Sequence, residues 1–244
     1  SGEYNPFEVI NTNIVGAQNV IEACLNTKVK KVVALSSDKA SSPINLYGAT
    51  KLCADKLFIA ANNYKGKKNL SFSVVRYGNV MGSRGSVFPL FIKQKEKGVL
   101  SITDKDMTRF NITMKESISL VIWTIKNGFG AEIIVPKIPS YNILDVAKSI
   151  AENCKIKIIG KRPGEKLHEE MISSEESSNS ISIKNYYIIL QQGNDAQKKY
   201  YKKKFLSKPL PKNFSYNSKS NSVFLKILEI KKLIKNDKII NEKT

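Results

Sequence analysis

The stretch "SSDKASSPINLYGATK", which runs from Ser36 to Lys51, combines residue types that can move protons. Tyr47 and Lys51 are four residues apart, so on a helix both side chains lie on one face, with their Cβ atoms about 5–6 Å apart. An ammonium group beside a phenol favours the phenolate, and the pair can then act as a base. A surface Tyr and Lys on an ordinary helix have the same spacing, so the pair alone does not decide between the two interpretations.

A second pair, Asp38 and Lys39, follows the apolar run "KVVAL" and Ser37. In α/β folds ligands bind at the carboxyl ends of strands, where a carboxyl and an amine can exchange protons with a substrate. The alternative is a turn with solvated charges. Gly48 costs a helix about 1 kcal/mol relative to Ala. We therefore expect a close backbone approach at Gly48.

Strands alternate with helices along the chain, which predicts an α/β fold with a parallel sheet. The predicted helices cover residues 9–25, 44–64, 86–98, 115–128, 142–154 and 224–234. The predicted strands cover residues 31–37, 70–80 and 131–136. Asn142 is the expected N-cap of the helix that follows it. Residues 181–190 are predicted to form an edge strand, and the Lys-rich residues 194–205 a mobile loop.

Composition excludes several classes of protein. A hydrophobic fraction of 41% and a charged fraction of 25% are ordinary for a soluble globular protein. The sequence has no apolar run of 18 residues and starts without the features of a signal peptide, so we expect neither membrane attachment nor secretion. Its three scattered cysteines indicate a reducing cytoplasm. The chain has only one histidine, His168, which nearly excludes a His-based zinc site or a Ser-His-Asp triad. No metal site is expected.

The net charge of +19 suggests a nucleic-acid partner, but the distribution of the charge argues against one. Lysines are spread along the whole chain, whereas grooves that bind bases or phosphates usually rely on arginine. The four arginines are Arg76, Arg84, Arg109 and Arg162. Each lies in a motif-like segment, which predicts planar, bidentate contacts with anions at a site.

Two segments are candidates for binding a phosphate or a sugar. "RYGNVMGSRGSV" (76–87) follows a predicted strand and contains three glycines with polar neighbours. "KRPGEKLHEEM" (161–171) adds an arginine beside Pro and Gly. Either segment by itself is equally compatible with a structural loop.

Together these segments resemble one family, the extended short-chain dehydrogenase/reductases. Within it they are most similar to the inverting UDP-N-acetylglucosamine 4,6-dehydratases of bacterial surface-sugar biosynthesis. The matching stretches are "NPFEVINTNIVGAQNVIEAC", "ALSSDKASSPINLYGATKLCADKLF", "VVRYGNVMGSRGSVFPLF", "ITDKDMTRFNIT", "RPGEKLHEEMIS" and "FSYNSKSN". They occur in the family's order and cover most of the chain. Tyr47 also fits the soluble, inverting branch, because the membrane-attached, retaining relatives have Met there.

The resemblance implies a role for each matching residue. Tyr47, helped by Lys51, would deprotonate the C4 hydroxyl of the sugar while NADP accepts the C4 hydride. Asp38 and Lys39 would remove the C5 proton, expel the C6 hydroxyl as water and reprotonate C5 from the opposite face. Ser37 stands where the family usually has Thr, and its hydroxyl would keep that role. The product would be a 4-keto-6-deoxy sugar, a precursor of pseudaminic-acid-type sugars.

The remaining implied roles concern binding. The residues that would contact NADP are Leu35, Ser36, Tyr47, Lys51, Tyr77 and Val80. The residues that would contact the UDP-sugar are Lys39, Asn79, Arg84, Arg109, Arg162 and Glu165. Asn13 resembles the Asn that helps to place the catalytic Lys. Relatives assemble as homo-oligomers, so the resemblance also implies several copies in the full-length enzyme.

The chain departs from the family in one respect, because no glycine-rich NADP loop of the G-x-x-G-x-x-G type occurs in it. We therefore interpret the chain as the C-terminal part of a dehydratase, without roughly the first three strands of a doubly wound sheet. The predicted ranges are a partial Rossmann-like region (1–80), a mixed nucleotide-sugar-binding region (81–174) and a Lys-rich extension (175–244). The alternatives are a non-catalytic fragment and a nucleotide-sugar 4-epimerase, which would not need the Asp38–Lys39 pair.

Overall fold

A computed structural model of the chain describes residues 2–83 and 85–237 and shows an α/β protein. Its helices are α1 (Pro6–Ile10), α2 (Gly16–Leu25), α3 (Leu46–Tyr64), α4 (Val87–Lys95), α5 (Met114–Asn127), α6 (Ile143–Ile150), α7 (Ser174–Ser177), α8 (Asp195–Phe205) and α9 (Ile227–Asn236). Its strands are β1 (Lys31–Ser37), β2 (Ser71–Tyr77), β3 (Asn79–Val80), β4 (Val99–Ile102), β5 (Thr108–Ile112), β6 (Ile133–Pro136), β7 (Ser140–Asn142), β8 (Lys155–Ile158), β9 (Glu170–Ile172), β10 (Ser180–Ser182), β11 (Tyr186–Ile189), β12 (Lys208–Pro209) and β13 (Tyr216–Asn217).

The chain divides into two compact units that are interleaved along the sequence. Unit 1 contains the chain up to Tyr77, together with Ile118–Lys137 and Glu170–Tyr216. Unit 2 contains Gly78–Ser117, Ile138–Glu169 and the chain from Asn217 onward. The three consecutive ranges predicted from the sequence do not follow these units, because successive elements of the chain alternate between them.

Unit 1 is built on a six-stranded mixed sheet with the order β1-β2-β6-β11-β10-β12. β1, β2 and β6 are parallel, whereas β11, β10 and β12 add to the sheet in antiparallel fashion. The register pairs Ser36 with Arg76 and Ser37 with Tyr77. The carboxyl ends of β1 and β2 are therefore level, and the residues that follow them start from the same edge of the sheet.

Unit 2 has its own core. Side chains of α4, α6 and α9 pack around β4 and the start of β7, and Phe88 meets Tyr141 edge to face. β5 is buried along its whole length, and it pairs with β3 on one side and β7 on the other. These strands place Asn79 and Arg109 in the same small sheet.

Most of the predicted elements are present. β1 has the predicted bounds, α3 begins two residues later than predicted, and the side chain of Asn142 accepts a hydrogen bond from the backbone N–H of Leu144 as the N-cap of α6. The predicted helix 9–25 is α1 and α2, joined without a break by a π-helical turn, Asn11–Val15. The sequence gives no sign of that turn.

Two predictions near the C-terminal end are wrong. Residues 181–190 form a hairpin of β10 and β11, and β11 lies between β6 and β10 rather than at an edge. The predicted mobile loop at 194–205 is helix α8. Asn194 caps that helix by accepting a hydrogen bond from Gln197, and Tyr201 on its inner face is fully buried. Helix α8 therefore packs through one aromatic face, while its other side is almost entirely lysine.

Within the described residues, none of the helices combines the length and the apolar character needed to cross a membrane.

Candidate functional site

The Asp38–Lys39 pair lies directly after β1, in a single 3-10 turn of residues 38–40. Ser37 caps this turn, because its Oγ accepts a hydrogen bond from the backbone N–H of Lys39 and donates one to Asp38 Oδ1, 2.9 Å away. Lys39 Nζ lies 3.0 Å from the same Oδ1. Asp38 is fully buried, and its Oδ2 has no hydrogen-bond partner among the described residues. The turn thus presents a carboxyl group with one oxygen held by two donors and the other unpaired.

Tyr47 and Lys51 lie in the first two turns of α3. Asn45 caps this helix by accepting a hydrogen bond from the N–H of Gly48 at 2.7 Å. Tyr47 is 40% exposed, and Lys51 donates from Nζ to the backbone oxygen of Leu35, 2.6 Å away. Burial lowers the pKa of Lys51, and the carboxylate of Asp55 opposes that shift. The ammonium of Lys51 is therefore anchored at the carboxyl end of β1, one turn of helix from the phenol.

Gly48 explains how α3 can lie against the turn that carries Asp38 and Lys39. A Cβ at Gly48 would overlap the backbone oxygen of Lys39, and it would also press on Pro43. Only glycine leaves room for this contact between helix and turn. The close approach predicted from the sequence is confirmed, and it places Asp38–Lys39 and Tyr47–Lys51 on directly touching segments.

Asn13 and Tyr77 approach the same helix from different elements. Asn13 lies in the π-helical turn and donates from Nδ2 to Thr50 Oγ1 at 3.0 Å, so it touches the neighbour of Lys51 rather than Lys51 itself. π-helical turns occur frequently at functional sites. Tyr77 ends β2, and burial and the nearby phenol of Tyr47 raise its pKa. Both residues thus belong to the surroundings of the Tyr47–Lys51 pair.

A groove of about 400 Å³ runs along β1 in unit 1. Leu35 and Lys51 line it, as does Asn13, and Leu35 is 52% exposed. The hydroxyl of Ser36 points elsewhere, because it donates to Asp55. Of the residues predicted to contact NADP, Val80 belongs to unit 2. The groove offers an apolar wall and an ammonium, which suit the ribose and nicotinamide of a dinucleotide. The 244 residues contain no glycine-rich phosphate loop of the G-x-x-G-x-x-G type.

Unit 2 contains a separate cavity of about 270 Å³. Four of the residues predicted to bind the substrate line it, namely Asn79, Arg109, Arg162 and Glu165. Arg84, a fifth, lies outside the described residues. Lys39, the sixth, is part of unit 1.

The two arginines of this cavity differ. Arg109 is buried, and its guanidinium donates to the backbone oxygens of Thr108, Lys166 and Leu167 at 2.7–3.1 Å. Arg162 is exposed, and its guanidinium has no hydrogen-bond partner in the described part of the chain, while its backbone N–H donates to Glu165 Oε2. Arg109 shapes the wall of the cavity, and Arg162 presents a planar fork of donors suited to an anion.

Arg76 corrects the expectation that all four arginines contact anions of a ligand. It is completely buried in unit 1, and its anions belong to the chain itself: Nη1 lies 2.9 Å from both carboxylate oxygens of Glu176, and Nη2 lies 3.4 Å from Asp55. Sequence reasoning missed this network, because Asp55 and Glu176 are 21 and 100 residues from Arg76 and no local pattern links them to it.

Comparison with known proteins identifies a family and several relatives of this chain. The family model described as "Polysaccharide biosynthesis protein" matches residues 1–191. A UDP-N-acetylglucosamine 4,6-dehydratase (inverting) of Campylobacter jejuni is 48% identical over 95% of this chain and 71% of its own length. A UDP-glucose 4-epimerase of Rickettsia conorii is 43% identical over 79% of this chain, and the match covers 58% of that relative. The crystal structure of Pen from Bacillus thuringiensis superposes with a TM-score of 0.86 at 39% identity, covering 98% of this chain and 71% of that one.

Proposed function

The chain belongs to the polysaccharide biosynthesis protein family, and from that premise we propose that it carries the proton-transfer and sugar-nucleotide-binding parts of an inverting UDP-N-acetylglucosamine 4,6-dehydratase. The observation that carries the proposal is the contact between the two segments that bear the acid–base pairs. Tyr47–Lys51 on α3 and Asp38–Lys39 after β1 lie on segments that touch at Gly48.

The first pair suits the oxidation of a sugar hydroxyl. Tyr47 removes the proton of the C4 hydroxyl, and the ammonium of Lys51 favours the phenolate form of the tyrosine. Lys51 would also hold the ribose of the cofactor, beside Leu35. The chemistry that a bound NADP+ supplies is storage of one hydride, taken from C4 and returned at C6. The choice of NADP over NAD is part of the proposal.

The second pair suits elimination. Once C4 is a ketone, the C5 proton is acidic, and in this proposal Lys39 and Asp38 take that proton and protonate the C6 hydroxyl, which departs as water. The unpaired Oδ2 of Asp38 is the oxygen available for this transfer. Return of a proton to C5 from the opposite face then gives the inverted centre. Ser37 orients the carboxyl group through its hydrogen bond to Oδ1.

The cavity of unit 2 is proposed to hold the nucleotide part of the substrate. Arg162 pairs with the diphosphate, Asn79 and Glu165 contact the polar edge of the UDP-sugar, and Arg109 keeps the loop around residue 165 in place. Arg84 is proposed to contribute on the basis of the resemblance alone. A cytoplasmic location and assembly into homo-oligomers belong to the same proposal.

A nucleotide-sugar 4-epimerase is the second candidate, because a Rickettsia relative bears that name. Epimerisation needs the Tyr47–Lys51 pair and a hydride store, but it breaks no C5–H bond and releases no water. A buried carboxyl group in contact with Lys39 has no task in that reaction. The Asp38–Lys39 geometry therefore favours the dehydratase.

The test compares the chain with a supplemented protein, in which the residues of the Campylobacter jejuni relative that the match leaves uncovered are fused to the chain at the corresponding end. Both are incubated with NADP+ and UDP-N-acetylglucosamine in deuterated water and followed by NMR. We expect the supplemented protein to form a 4-keto-6-deoxy product with deuterium at C5. The chain alone is expected to bind NADP+ weakly in calorimetry and to turn over little substrate, because its sequence offers no loop for the cofactor's phosphates.

Variants of the supplemented protein separate the two pairs. Tyr47→Phe should give neither product nor exchange at C5. Lys39→Met should lower turnover by about 10²–10⁴-fold, which is the usual contribution of a general acid or base. Lys97→Met, on an exposed turn, is the control and should match the parent. Formation of the C4 epimer without deuterium at C5 would identify an epimerase, and dehydration by Lys39→Met at the parent rate would refute the role given to this pair.

A further inference from the structure

Asp55 is a buried carboxyl group on the same face of α3 as the proposed catalytic pair. It lies one turn beyond Lys51 and two turns beyond Tyr47, a spacing of four residues each time. It is 2% exposed. A carboxylate in such a place is unfavourable unless it is paired and hydrogen-bonded, so its partners indicate what keeps it there.

The first partner is Ser36, at the carboxyl end of β1. Ser36 Oγ donates to Asp55 Oδ2 at 2.7 Å, and the preceding carbonyl, that of Leu35, receives the ammonium of Lys51 at 2.6 Å. Two consecutive residues of β1 are thus attached to two consecutive turns of α3. The bond between Ser36 and Asp55 therefore holds the residue directly after the one whose carbonyl receives Lys51.

The second partner is Arg76, which lies opposite Ser36 in the register of β1 and β2. Its Nη2 lies 3.4 Å from the Asp55 oxygen that Ser36 also contacts. Its Nη1 contacts Glu176 at 2.9 Å and donates to the backbone oxygen of Met171 at 3.0 Å. Burial raises the pKa of Asp55, and the guanidinium of Arg76 is the largest opposing influence. Arg76 therefore favours the charged form of Asp55 and fixes it from the side of β2.

We propose that Asp55 is a positioning residue for the Tyr47–Lys51 pair, which it serves by fixing the carboxyl end of β1 through Ser36 and by facing Lys51 with a carboxylate one turn away. This inference rests on the proposed function, which gives the Tyr47–Lys51 pair its catalytic role. Asp55 is also among the residues that line the groove along β1, but in the role proposed here it acts through Ser36 and Lys51.

The charges that face Asp55 come from its own helix and from β2. Lys51 lies one turn before it, and Arg76 lies beside it, while Glu176 of α7 neutralises the far side of Arg76. Ser36 of β1 supplies the only neutral donor among these partners. Loss of the Asp55 charge removes the influence that raises the pKa of Lys51 and leaves the lowering effect of burial unopposed. Lys51 then loses its proton at a lower pH.

Unit 1 also contains a second serine–carboxyl pair that serves as a matched control. Ser73 on β2 donates to the buried carboxyl of Glu132 at 2.6 Å, which repeats the serine–carboxyl arrangement away from Lys51. Glu132 is bonded in addition to the backbone N–H of Gly130 and to Gln197. Ser73→Ala and Glu132→Gln therefore remove the same kinds of interaction as Ser36→Ala and Asp55→Asn, without touching the strand end.

The first experiment measures amide hydrogen exchange in the 244-residue chain itself. Ser36→Ala should speed exchange in residues 35–39 by about tenfold to a hundredfold, the equivalent of one hydrogen bond to a charged group. Ser73→Ala should leave this segment at the parent rate. Equal effects of the two variants on residues 35–39, or no effect of Ser36→Ala, would overturn the inference, and this readout does not depend on any enzymatic activity.

The second experiment measures the pH dependence of kcat in the supplemented protein. Asp55→Asn keeps an oxygen for Ser36 but loses the charge, so the basic limb of the profile should move to lower pH, whereas Glu132→Gln should leave the limb in place. An unmoved limb in Asp55→Asn overturns the electrostatic part of the inference. If the parent supplemented protein forms no dehydrated product, the proposed function fails, and the exchange experiment still decides whether Asp55 fixes the strand end.

Discussion

Arg76 in unit 1 and Arg162 in unit 2 show two opposite uses of one residue type. Arg76 is fully enclosed and meets two carboxylates and a backbone oxygen of its own chain. Arg162 is exposed in a cavity, and its guanidinium has no hydrogen bond to the residues that the structure describes. Both arginines lie in motif-like segments, so the local sequence does not show which of them is buried. The difference lies in whether carboxylates from distant segments reach the guanidinium.

The largest expected effect comes from removing the enclosed guanidinium. Arg76→Met keeps a similar length but leaves the carboxylates of Asp55 and Glu176 buried without their cation. Breaking a buried pair in this way costs about 3–5 kcal/mol of the free energy of unfolding. The measurement is urea unfolding followed by the fluorescence of Trp123, the only tryptophan of the chain, which packs in the core of unit 1.

Arg162→Met is the control for that measurement and should change the free energy of unfolding by no more than about 0.5 kcal/mol, as is usual for an exposed side chain. Equal losses in the two variants would break the comparison, because Arg162 would then also be a structural residue.

An intermediate effect is expected on nucleotide binding. Arg162→Lys should weaken the binding of UDP to the chain by about 1.5–3 kcal/mol, since an ammonium cannot reproduce the bidentate fork of arginine. Isothermal titration calorimetry gives the affinity directly. The neighbouring Lys161→Met serves as the control for a general loss of charge. UDP affinity that is the same in Arg162→Lys as in the parent would make Arg162 a residue of the turn rather than of the binding site.

The smallest effect concerns the single histidine, in unit 2. Burial and the neighbouring charges of Lys219 and Arg109 lower the pKa of His168, and Thr108 Oγ1 lies 2.9 Å from its Nδ1. A folded-state pKa below the unfolded value of about 6.5 means that the unfolded chain binds the proton more tightly. The contribution to stability is therefore complete above about pH 6.5 and is lost as the pH falls below it.

An NMR titration of the chain gives this pKa without ambiguity, because there is one imidazole to follow. We expect a midpoint below 6.5 and a small loss of stability between pH 7 and pH 5.5 that is absent in His168→Gln. A midpoint above 6.5 would show that the acidic residues near His168 outweigh the cations of this region.

The parts of the molecule that sequence predicted well are those decided by local chemistry. β1 is a short apolar run, and α3 has a strong N-cap and a long apolar face, so both were predicted to within two residues. Gly48 was singled out because glycine is unfavourable inside a helix. Helix α8 was predicted as a loop, since its stability comes from Tyr201 packing against distant residues rather than from its lysine-rich sequence.

The candidate site shows the same limit. The Asp38–Lys39 and Tyr47–Lys51 pairs are close in sequence and could be grouped from the sequence alone. The bond from Asn13 to Thr50 spans 37 residues, and that from Arg76 to Glu176 spans 100, and neither has a local signal. Such contacts depend on the order of the strands in the sheet, which the spacing of apolar residues does not determine.

The missing side chain at Gly48 also has a consequence for motion. With no atom separating them, the start of α3 and the turn after β1 cannot slide past each other without breaking a direct backbone contact. The two sets of proton-carrying groups are therefore expected to move as one rigid piece on the timescale of turnover. If a sugar must be reoriented between its successive proton transfers, the sugar itself has to rotate, because α3 and the turn after β1 stay fixed. To change the outcome of the reaction, substitutions that reshape the space around the sugar would then have more effect than substitutions that loosen the contact at Gly48.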